Sequence, residues 1–75
     1  MKSINIKKST EDDIISGQCT YGGRTTEAIK LINNQGKWSV GMSMCLPSNI
    51  EDARIVLETF NQAFAKMDET QTGNL

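Results

Sequence analysis

The chain contains no histidine, a single proline and two cysteines in 75 residues, and its aromatic side chains number one tryptophan, one tyrosine and two phenylalanines. Without histidine there is no imidazole to act as a base near neutral pH, and a serine or cysteine nucleophile lacks its usual activating partner. Cys19 and Cys45 lie far apart, with no Cys-x-x-Cys pair. Neither a zinc site nor a thioredoxin-like redox motif assembles from one chain on that pattern, and free thiols are expected. No apolar run approaches the roughly 20 residues of a membrane span. The opening MKSINIKKST alternates lysine with isoleucine in place of the apolar stretch of a signal peptide, so a cytoplasmic protein is expected. Gly22-Gly23 stands without the longer glycine pattern of a phosphate-binding loop. Glu11, Asp12 and Asp13 are adjacent carboxylates without the Asp-x-Asp spacing of a calcium loop, and read as solvated. A non-enzyme with no metal and no cofactor is the expectation.

What is present is periodicity. Hydrophobic residues make up 37% of the chain and charged residues 23%, but the apolar ones gather in segments that alternate or recur with a helical period, unlike a disordered chain. Lys2 to Lys7 reads as a short strand with Ile4 and Ile6 on one face, followed by a polar loop in which Thr10 is also able to cap a helical turn. Ile14 to Tyr21 is rich in strand formers, and Gly22-Gly23 supplies the positive φ of a tight hairpin. A plain two-residue loop there turns Ile14, Ser16, Gln18 and Thr20 to the core. A one-residue bulge turns Ile15, Gly17, Cys19 and Tyr21 inward instead, and is preferred because that face is more apolar.

Thr25 to Ile32 fits a strand or a helical face, and Asn33-Asn34-Gln35-Gly36 favours strand by supplying turn chemistry before the next segment. The expected pairing sets Leu31 opposite Trp38, Ile29 opposite Val40 and Glu27 opposite Met42. In GKWSVGMSMCLPS, Trp38, Val40, Met42, Met44 and Leu46 point one way, and Ser39, Gly41, Ser43 and Cys45 the other. Pro47 ends that strand, and Ser48 with Glu51 gives a capping-box signature. From Ile50 to Met67 the residues Ile50, Ala53, Leu57, Phe60, Phe64 and Met67 form an apolar stripe, with Val56 and Ala63 alongside. The fold class predicted is α+β: a three- to four-stranded antiparallel meander with one C-terminal helix on one face. Residues 1–68 form the single domain and 69–75 a flexible acidic and polar tail. In that arrangement the methionines fill gaps beneath Phe60 and Phe64, rather than binding a metal. Cys45 faces outward near a helix start, a weak signal for a reactive thiol.

A net charge of -1 argues against a general nucleic-acid binder, yet the signs are segregated. Arg24, Lys30 and Lys37 are expected on the sheet face away from the helix, while Glu51, Asp52, Glu58, Asp68 and Glu69 belong to the helix and its end. Ile32 falls on the uncovered sheet face, and Ile55 falls outside the helix stripe among Glu51, Glu58 and Gln62. The candidate partner-binding residues are therefore Arg24, Lys30, Lys37, Ile32, Ile55, Glu51 and Glu58.

The β-β-β-α order resembles in outline the arm-type DNA-binding domains of phage integrases and plant AP2 domains, which implies DNA reading by a basic sheet face, here Arg24, Lys30 and Lys37 without an aromatic or arginine-rich motif. It is equally similar to small proteins of phages and mobile elements that block a host protein. A small core, half-covered sheet and absent catalytic groups point to a protein-binding module that inhibits or regulates by occupying a surface, or works as a homodimer. Nucleic-acid binding through the basic face is the alternative.

Overall fold

Residues 2–9, 13–42 and 47–72 are described by the computed structural model. Four strands, β1 (Ser3–Ser9), β2 (Ile14–Tyr21), β3 (Arg24–Asn34) and β4 (Lys37–Gly41), form an antiparallel sheet in the order β1-β2-β3-β4, and one helix, α1 (Ile50–Thr72), packs on it. The predicted α+β meander with a C-terminal helix is the fold observed. The helix runs past Met67 to Thr72. Thr10, Glu11 and Asp12, the segment Ser43–Leu46 with Met44 and Cys45, and the end of the tail at 73–75 lie outside the described residues.

The β2–β3 register resolves the conflict at the hairpin. Gly22 and Gly23 form a two-residue loop at φ 58° and 78°, with Tyr21 opposite Arg24, the left-handed backbone that glycine adopts without strain. Ile15, Gly17 and Cys19 are nevertheless buried on the helix side. Both hold because the bulge lies in the strand body rather than at the turn: Gly17 pairs with Ile29, Gln18 pairs with Glu27, and Ala28 is the extra residue. Ala28 and Ile29 are consequently buried in succession, which breaks the alternation.

The β3–β4 hairpin turns one residue further along the chain than the expected two- or four-residue loop. Gln35 and Gly36 form its loop with φ of 56° and 87°, and the amide of Gly36 donates to Asn33 Oδ1 at 2.9 Å. Leu31 therefore faces Val40 and Asn33 faces Trp38, two residues out of step with the predicted pairing of Leu31 with Trp38 and Ile29 with Val40. A slip of two residues preserves which face each side chain occupies, so partners move without the strand turning over.

The helix backbone approaches β2, β3 and β1 but not β4. Its buried residues are Ala53, Val56, Thr59 and Ala63. One cluster gathers Ile15, Ile29, Leu31 and Ala63 with Ile6, Trp38, Phe60 and Met67 packed against it; the other gathers Cys19, Ala28 and Val56 with Tyr21, Ile55 and Phe60. The helix is thus rotated from the predicted stripe. Small side chains occupy its line of closest approach, because Gly17 of β2 lets α1 come so near that an added Cβ would stand 2.9 Å from Thr59 Cγ2 and from Ile29 Cγ2. Larger residues at that contact would push the layers apart. The buried Thr59 hydroxyl is satisfied by donating to the Ile55 carbonyl at 2.7 Å.

Candidate partner-binding surface

Two surfaces follow from this packing, one on each side of the sheet. Partners in an antiparallel pair share a face. The register therefore sets Asn5, Lys7, Ser16, Gln18, Thr20, Thr25, Glu27, Lys30, Ile32, Lys37 and Ser39 on the side away from α1. Lys30 and Lys37 are both exposed there, as predicted, and so is Ile32, which lies between Ile14 and Ser39. Lys30 Nζ sits 3.8 Å from Glu27 Oε1, which offsets part of the positive charge. Arg24 does not join them. It pairs with Tyr21, two residues beyond buried Cys19, and so belongs to the helix side; the bulge at Ala28 reverses the parity on which the prediction relied.

On the helix, Ile55 is half-buried and packs against Cys19, Ala28 and Val56, so the prediction that it stands outside the packed stripe is corrected. Glu51 is held by an ion pair in which Lys2 Nζ donates to its Oε2 at 3.0 Å and lies 3.4 Å from Asp52 Oδ1. Glu58 is exposed and accepts a long bond from Gln62 Nε2 at 3.4 Å. The predicted seven residues do not form one site: Lys30, Lys37 and Ile32 share the back face, Glu51 and Glu58 lie on the helix, Arg24 sits at a hairpin end and Ile55 is part of the core.

The surface missed from sequence is the flank of α1 toward β4. The Lys2 ion pairs fix the other flank over β1. At 100° per residue, Ile50, Leu57 and Phe64 line up opposite it, spaced seven apart. They are 69%, 48% and 36% exposed, and beside them on the helix side of β4 are Val40 at 46% and Met42 at 56%. These are five of the six large hydrophobic side chains left in water among the described residues, Ile32 being the sixth. Phe64, Val40 and Met42 were expected to close on one another under the helix. They do not, because α1 sits over β1 to β3 and β4 is left uncovered. Trp38 is the exception on β4, half-buried against the first cluster.

Cys19 is a free thiol, fully buried. Among the described residues no group of three or more histidine, cysteine or carboxylate side chains is placed to hold a metal ion, and no helix is long and apolar enough to cross a membrane. Compared with protein-family models, curated proteins and solved structures, the chain matches none.

Proposed function

We propose that this chain is a small non-catalytic protein-binding module that acts by occupying a surface, and that its contact is the apolar flank made by Ile50, Leu57 and Phe64 beside Val40 and Met42. The observation that carries the reading is the row on α1: exposed apolar residues scattered singly are ordinary, but three aligned along one helix edge, with two more on and just past the uncovered strand β4, mark an interaction surface. A cytoplasmic setting belongs to the same reading, supported by the free thiol of Cys19. An inhibitory or regulatory role, of the kind served by small phage proteins, fits a module that contributes bulk and complementarity rather than chemistry.

The test compares immobilised wild type with Leu57→Glu and with Lys30→Glu/Lys37→Glu as baits, circular dichroism confirming that each is folded. A protein retained by wild type and by the lysine variant, and lost with Leu57→Glu, is the expected result. Equal retention by all three overturns it, and so does no retention by a wild type that also sediments as a monomer. The alternative, nucleic-acid binding, draws its support from the uncovered back face with Lys7, Lys30 and Lys37. It predicts salt-dependent DNA binding that is lost in Lys30→Glu/Lys37→Glu.

A further inference from the structure

We infer that the occupant of this flank is a second copy of the chain, its α1 antiparallel to the first, with Leu57 of each protomer against Phe64 of the other. This rests on the protein-binding reading above and names the partner. The argument is self-complementarity. A twofold axis through the helix pair at Asn61 exchanges positions equally far before and after it, so Arg54 meets the partner's Asp68, and Leu57 comes within one residue, about 1.5 Å along the helix, of level with the partner's Phe64. Arg54, Asn61 and Asp68 are spaced seven apart, like Ile50, Leu57 and Phe64, and form the exposed row beside the apolar one.

Antiparallel helix pairs flank their apolar seam with such rows. Here the row carries a cation before the centre and an anion after it, with an exposed amide on the axis. Among the described residues no ion pair engages either Arg54 or Asp68 within the protomer. A twofold interface requires the same patch to be its own complement, and this row meets that requirement in charge. The row lies toward the solvent side of the flank, so pairing through it lets the two sheets diverge below the helices.

The test is sedimentation of the full chain across micromolar to millimolar concentration, with charge reversals. Wild type dimerises; Leu57→Glu is a folded monomer. Arg54→Asp and Asp68→Arg each set like charges against each other at both ends of the seam and weaken dimerisation about tenfold or more. Mixing these two variants restores association, because in the heterodimer the two reversed positions, 54 of one protomer and 68 of the other, face each other at one end while native Arg54 faces native Asp68 at the other, giving opposite signs at both ends. Dimers whose affinity ignores both reversals, with no recovery on mixing, overturn the antiparallel seam. A wild type that is monomeric throughout also overturns it. In that case the bait experiment separates the two ideas: capture of another protein that is lost with Leu57→Glu leaves the protein-binding reading standing, and absence of capture removes both.

Discussion

Gly17 is the residue on which the helix placement turns. It sits inside β2, where glycine contributes no side chain to the core and costs conformational entropy. Its value here is the space it leaves, filled by the methyl groups of Thr59 and Ile29. Adding a single methyl by Gly17→Ala forces both neighbours to give way, and destabilisation of about 1–3 kcal/mol is expected, read as a lower denaturant midpoint with an unchanged slope. Part of that loss is recoverable. Thr59→Ser removes one of the two opposing methyl groups while keeping the hydroxyl that bonds Ile55. The double variant should therefore be more stable than the sum of the single changes, a coupling that appears only if the two residues touch. Additive losses would mean that the helix does not rest on Gly17.

At the scale of the element, the start of α1 separates two ways of ending the preceding segment. Ser48 and Glu51 satisfy the capping-box pattern, but the structure uses Asn49: its Oδ1 accepts from the Glu51 amide at 2.8 Å, and its carbonyl accepts from the Ala53 amide at 2.9 Å. Glu51 is left free to bind Lys2 instead of reaching back to the cap. Asn49→Ala is expected to cost about 1 kcal/mol, whereas Ser48→Ala, an exposed position without a bond, should fall within about 0.5 kcal/mol of wild type. Thermal melts of the two variants decide between the caps.

The same elements show what could be read in advance. Strand and helix identity was legible, because alternation, turn residues and a helical period agree with one another from Ile14 to Met67. The inward face of β2 was also legible from its composition. Placement of the bulge was not: Gly22-Gly23 looks like the place for irregularity, while Ala28 carries no local mark and becomes the extra residue only because both it and Ile29 find room under α1. The helix stripe misled for a related reason. Side-chain size suggested that Leu57, Phe60 and Phe64 face the sheet together; Phe60 does, but Leu57 and Phe64 do not, and the nearest approach goes to Ala53, Thr59 and Ala63 across from Gly17. A glycine inside a strand was the available signal, and it points to close packing, hence to the exposed flank. That flank is the part of the candidate site which sequence pattern alone left hidden.

For the molecule as a whole, the tie between the beginning of the chain and the start of the helix is electrostatic. Lys2 precedes β1, an edge strand, and its ammonium bonds Glu51 and lies beside Asp52 in the first turn of α1. The hydrogen bond to Glu51 is the main influence on it, burial opposes it, and the net effect holds Lys2 above its ordinary value of 10.5. A cation whose pKa is higher in the folded state favours folding while it is protonated in both states. That contribution is complete below the unfolded value and disappears as pH rises through the folded one. The stability difference between wild type and Lys2→Met should thus stay constant from about pH 7 to about pH 9, then close above 10.5, and it should shrink with added salt at neutral pH. If the difference instead persists into strong alkali and high salt, the aliphatic stem of Lys2 is what secures β1 to the helix, by packing rather than by charge.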